Sequence, residues 1–147
     1  MIGNLVRISS ICLAGLLAAQ GFALAQSDES TAAVETQRLS NPVAEFTGID
    51  KITGRIITFD VYINETVQFG ALQVTPRICY SSPDTAEDPK TDSFVEVDEI
   101  TLDRKIRRIF TGWMFAESPG LNAVEHAVYD VWLKDCKESS NVPPPET

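Results

Sequence analysis

The chain has 147 residues, room for one small domain, and carries 12 basic against 21 acidic residues for a formal charge of −9 at pH 7. That balance opposes general affinity for nucleic acid or anionic lipid, whose attraction depends on a positive surface. Beyond the first 25 residues no apolar run has the length of a transmembrane helix, so no integral membrane segment is expected once they are removed.

Those 25 residues form a pattern of their own. Arg7 and the N-terminal amine precede an apolar run over residues 8–19, and Ala23-Leu24-Ala25 precedes Gln26. A positive start, an apolar stretch too short to span a bilayer and small residues two apart predict a secretory signal peptide over residues 1–25, cleaved after Ala25. The expected localisation is periplasmic. Cys12 lies inside the apolar stretch and follows Ser9-Ser10-Ile11, which speaks against a lipoprotein anchor. Loss of Arg7 with the leader leaves 11 basic against 21 acidic residues.

Residues 26–45 are polar and nearly free of aromatic side chains, with too little apolar surface to offset the entropy of ordering, and predict a flexible linker. Residues 46–137 form a block of about 92 residues, a size at which a single core is marginal without help. Residues 138–147, with Pro143-Pro144-Pro145, predict a disordered tail.

Within the block the apolar period is mostly two, as in strands whose successive side chains face opposite sides. In chain order the expected strands are residues 46–52, then Ile57, Phe59, Val61 and Ile63 alternating with Thr58, Asp60 and Tyr62, then residues 67–69. Next, Leu72, Val74, Ile78 and Tyr80 alternate with Gln73, Thr75, Arg77 and Cys79, while Pro76, lacking an amide donor, requires an edge or a bulge. Residues 94–100, 106–115 and 128–136 complete the set. Thr53-Gly54, Asn64-Glu65, Gly70, Leu102-Asp103-Arg104 and Ser118-Pro119-Gly120 supply the turns. Residues 81–93 read as a long loop, and residues 121–126 as one short helical turn capped by Ser118 or Asn122. The fold class is all-β, a small antiparallel sandwich or barrel-like domain with at most that one helical turn.

Few residues point to chemistry. Cys79 and Cys136, the two cysteines left after the leader, suit a disulfide in an oxidising compartment; closing the loop between them stabilises by roughly 4 kcal/mol in the chain-entropy model. A nucleophilic thiol or a metal site is the alternative, although no C-x-x-C spacing is present. The only histidine, His126, with Ser118, Glu125 and Asp130, offers the residue types of a hydrolase. However, Ser118 stands before Pro119-Gly120 rather than in a G-x-S-x-G elbow, and neighbouring residues do not share a direction. A turn histidine bonded to backbone or carboxylate is the plainer reading. One histidine gives no typical zinc site, and no cofactor is expected.

Arg104, Lys105, Arg107 and Arg108 form the one dense basic cluster. Arginines of this kind can hold an anionic glycan, a phosphate-bearing envelope lipid or an acidic protein face, but a hairpin turning near residues 102–104 places them opposite Glu96, Asp98, Glu99 and Asp103, and cross-strand pairing is preferred. Trp113, Phe115, Tyr129 and Trp132 supply aromatic surface, for which core packing is the default, with at most one tryptophan exposed.

Over residues 112–136, GWMFAESPGLNAVEHAVYDVWLKDC, the chain resembles a family of exported alphaproteobacterial proteins known as a domain of unknown function, DUF2155-type. Gly48-Ile49-Asp50-Lys51, Thr58-Phe59-Asp60-Val61, Phe69-Gly70 and Cys79-Tyr80 extend the resemblance over nearly the whole folded block. It implies no activity and no catalytic or binding residues. Ala127 departs from it, since a proline is expected after the histidine and would hold His126 extended. The sequence therefore reads as a periplasmic, disulfide-stapled binding module. Its partner is expected to be an envelope protein or, failing that, cell-wall glycan. Trp113, Trp132 and the turn over residues 118–126 are the expected contact surface, and a small envelope-acting hydrolase using His126 is the alternative.

Overall fold

Alternation between buried and more exposed side chains marks parts of the long strands of the domain, which a computed structural model describes over residues 37–122, 124 and 126–146. The expected signal peptide, most of the expected linker, Ala123, Glu125 and Thr147 lie outside the described residues. The elements are β1 (Leu39–Ser40), β2 (Val43–Asp50), β3 (Arg55–Tyr62), β4 (Val67–Phe69), β5 (Leu72–Ser81), β6 (Thr91–Ile100), β7 (Ile106–Phe115) and β8 (Tyr129–Lys137). All pairings among them are antiparallel.

One sheet runs β1-β5-β6-β7, with β4 sharing the β5 edge with β1; the other runs β3-β2-β8. Their inner faces meet in one core. Ala44, Phe46, Val61, Val131 and Leu133 from the three-stranded sheet bury against Leu72, Val74, Val95, Val97 and Met114 from the five-stranded sheet. At about 25 cal/mol per Å² of apolar surface removed from water, this burial is the main term holding the sheets together. Cys79 on β5 and Cys136 on β8, with Cα atoms 5.7 Å apart, are disulfide-bonded and staple one sheet to the other.

Pro76 sits at a bulge, as its missing amide demands: the β5–β6 register shifts between Pro76 and Ile78, and the buried Ser93 hydroxyl donates to the Ile78 carbonyl at 2.6 Å. The β2–β3 turn is held by Asp50, whose Oδ1 accepts from the amides of Ile52 and Thr53 at 2.9 and 3.2 Å. Gly54 completes it at φ 71°, a region that costs glycine nothing.

The folded block starts earlier than residue 46. Leu39 and Ser40 pair with Ser81 and Tyr80, and Val43 and Ala44 are fully buried, so residues 39–45 belong to the sandwich rather than to a linker. Small apolar groups flanked by polar neighbours carry too weak a periodicity to show this in advance. In the tail, Ser140 hydrogen-bonds to Asp60 and the Val142 carbonyl accepts from the Tyr62 hydroxyl at 2.8 Å. The helical turn expected at residues 121–126 is corrected: no described residue is helical. Leu121 donates to the Ser118 carbonyl at 3.0 Å in a simple turn, and Asn122 uses its side chain on the Trp113 carbonyl at 2.6 Å instead of capping a helix.

Candidate functional site

His126 precedes β8 at the end of a line of aromatic rings. Phe46, Phe59, Phe69 and Tyr129 follow one another at centroid separations of 6.0, 5.7 and 5.6 Å, and the imidazole stacks on Tyr129 at 5.4 Å. Its Nδ1 accepts from the amides of Val128 and Tyr129, both at 3.1 Å, which puts the ring proton on Nε2, where it donates to Glu99 Oε1 at 3.2 Å. The side chain is 12% exposed. Glu99 also accepts from Arg107 at 2.5 Å; that bond first, with help from His126, holds its carboxyl below the ordinary range.

Asp130 turns elsewhere. It pairs with Lys51 Nζ at 3.1 Å, and the same ammonium donates to the His126 carbonyl at 2.7 Å. Ser118 lies exposed in the β7–β8 loop. Ser118, His126 and Asp130 are therefore near one another in the chain without forming a hydrogen-bonded relay. Both His126 nitrogens are committed, and an imidazole so placed orders the start of β8.

The basic cluster lies on the β6–β7 hairpin. Registers place Asp98 opposite Arg108 and Glu99 opposite Arg107. Arg108 reaches Asp98 at 2.5 Å and Glu96 at 3.1 Å, Arg77 from β5 reaches Glu96 at 2.7 Å, and Lys105 reaches Asp103 at 3.0 Å. The Arg77 hydrogen bond leads in holding Glu96 below its ordinary pKa, and the Asp98 bond leads in raising that of Arg108. Arg104 is exposed in the turn at φ 64°.

The two tryptophans belong to different sheets. Trp113 on β7 faces outward beside Phe94 of β6, at 5.6 Å edge to face, and stacks on Tyr80 of β5 at 6.4 Å. Trp132 on β8 stands between the buried Val131 and Leu133 and points off the core. Together with the β7–β8 loop it shapes an open cleft of about 320 Å³, lined by Pro119, Gly120, Val124, Asp130, Val131 and Trp132. Val124 roots that loop in the core at 3% exposure, while Leu121 beside it is 66% exposed. Among the described residues Asp130, salt-bridged to Lys51, is the one charged group of the lining. The rest of the described lining is apolar or glycine, suited to an apolar side chain. Among the described residues no three His, Cys, Asp or Glu converge as metal ligands.

Residues 44–136 match the model of a family described as "Uncharacterized protein conserved in bacteria (DUF2155)". The chain belongs to this family. The DUF2155 span begins in β2 and ends at the second cysteine of the disulfide, so it holds the tryptophan cleft, His126 and the charged hairpin but not β1. The chain is similar to "Uncharacterized protein RP359" of Rickettsia prowazekii (strain Madrid E), 26% identical over 90 residues, which cover 60% of this chain and 56% of that protein. It therefore spans little more than half of that relative's length. No solved structure matches the chain.

Sequence reasoning did not single out Glu99, Lys51, Arg38 or Asp92 as site residues. Their partners stand tens of residues away in the chain, and only Glu99 carried a signal, as a member of the charged hairpin.

Proposed function

We propose that the protein is an exported, periplasmic, non-catalytic interaction module of the cell envelope, which takes an apolar side chain of another envelope protein into the Trp132 cleft. The observation that carries this reading is the cleft itself: a loop rooted by Val124 brings Pro119 and Gly120 to the same cleft as Trp132, and Leu121, next in the chain to Gly120, is exposed. Exposed leucine beside a preformed apolar recess is a recurrent feature of contact surfaces, where a buried aromatic anchor dominates the binding energy. The leader pattern of residues 1–25 supports export, and a disulfide between the sheets supports an oxidising compartment.

Cross-linking in the native periplasm, followed by denaturing purification and mass spectrometry, tests the proposal. One dominant protein partner, captured by the unmodified chain and lost from a folded Trp132→Ala/Leu121→Ala variant but retained by Trp113→Ala, is the expected result. Capture unchanged by the Trp132 and Leu121 substitutions, or recovery of glycan fragments alone, overturns it.

A further inference from the structure

A second site lies on the outer face of the five-stranded sheet and stands independently of the Trp132 cleft. The β5–β6–β7 registers set Tyr80, Asp92 and Phe115 in one row and Ile78, Phe94 and Trp113 in the next. Asp92 faces outward yet is only 8% exposed, because the Arg38 guanidinium covers it and forms its salt bridge. The same guanidinium carbon lies 4.5 Å from the centroid of the Tyr80 ring and 5.8 Å from that of Trp113. A planar cation over two stacked aromatic rings, tied to a buried carboxylate, combines the contacts that favour guanidinium over ammonium.

The group that fills this cradle sits at the outer end of the described chain. Arg38 precedes β1, a two-residue strand whose side chains are both exposed, and it lies ahead of residues 44–136, whereas Tyr80, Asp92 and Trp113 lie within them. Beside it, Arg38, Ser82, Lys90, Asp92, Phe115 and Glu117 line a cleft of about 260 Å³, room for the stem and backbone of an incoming residue. A buried carboxylate left unpaired is costly, so the cradle exchanges one cation for another more readily than it empties.

We propose that this cradle is a guanidinium-binding site, that Arg38 is its resident intramolecular ligand, and that an arginine side chain of a partner protein takes its place. The net negative charge of the chain favours the approach of such a partner.

Removing the resident ligand opens the site to a small probe. In the purified protein with its disulfide intact, Arg38→Ala is expected to show a saturable rise in Tm with millimolar ethylguanidinium, together with a shift of the Trp113 indole resonance. Ethylammonium is expected to give a smaller response, and Arg38→Ala/Asp92→Asn none. The unmodified protein should respond with an apparent affinity about tenfold weaker or less, because Arg38 occupies the site. An acetylated Gly-Arg-Gly amide should move the same indole resonance in the unmodified protein, whereas Gly-Lys-Gly should not. Arg38→Met, which keeps the stem over Tyr80 and removes the charge, decides the matter if Arg38→Ala does not fold. No saturable response in either folded variant, or an equal response when Asp92 is also replaced, overturns the proposal; so does a peptide that leaves the Trp113 resonance unmoved.

Discussion

Gly48 shows how single positions set the packing. It stands in the middle of β2, where a glycine costs strand propensity, and a Cβ placed there would lie 2.7 Å from the Phe69 ring. That ring cannot retreat, because Phe59 stacks on it from one side and Tyr129 meets it edge-on from another. The glycine is thus the slot that admits β4 to the core. Gly48→Ala is expected to destabilise the fold by about 1–3 kcal/mol, the usual cost of overpacking, as read from urea unfolding midpoints at unchanged slope. His126 makes the complementary point about legibility. A turn histidine bonded to backbone or to a nearby carboxylate could be read in advance, but not that it would be bonded to both, nor that the carboxylate would be Glu99, 27 residues away. Only the folding of β6 beside the start of β8 selects it. Arg38 could not be found at all, since its meaning depends on rings and a carboxylate that the sheet assembles.

Among the elements, the β6–β7 hairpin was the most legible. β7 begins and ends where period and turn residues place it, at Ile106 and Phe115, and β4 likewise. Charges of opposite sign along the two strands foretold the cross-strand pairs. The β7–β8 loop was not legible, because Pro119-Gly120 stops a helix without specifying what replaces it. The hairpin has a pH signature. Glu96, Glu99 and Asp103 are all held below ordinary values of 4.5, 4.5 and 3.8, chiefly by hydrogen bonds from Arg77, Arg107 and Thr101. Carboxyls depressed in the folded state stabilise it fully above their unfolded values and lose that contribution as pH falls through the folded ones. Thermal unfolding should therefore be level above about pH 5 and decline below it. Glu96→Gln/Glu99→Gln should lower the plateau and flatten the acid decline. Solvent screens these surface pairs, so the plateau should drop only modestly, and an acid slope unchanged in this variant would refute the assignment.

At the scale of the whole molecule, fold class followed from period and cysteine pairing from the count of two cysteines in an expected oxidising compartment, while the split into a five- and a three-stranded sheet did not. Strand order depends on which hydrophobic faces meet, and every strand here offers a similar face. The disulfide sits where the sheets would otherwise part, buried on both sides. Replacing both cysteines by alanine should cost about 4 kcal/mol in the chain-entropy estimate, measured as the difference in unfolding free energy between oxidised protein and the variant; a cost near zero would mean that the core alone holds the sheets.

The same staple governs how the domain bears a load. Asn41, at the start of the folded chain, donates to the Cys79 carbonyl at 2.9 Å, and Cys136 stands one residue before the end of β8. Covalent tension applied to the two termini passes from the first cysteine to the second through sulfur, and the residues between them form a closed ring loaded only through contacts such as the β2–β8 pairing. β6, β7, the charged hairpin and the Trp132 cleft all lie on that ring, along with the Tyr80, Asp92 and Trp113 side of the cradle. Arg38 lies on the stretched portion. A pull on the N-terminal segment would therefore act on Arg38 and on the β1 pairs with Ser81 and Tyr80 before it reached β6 or β7.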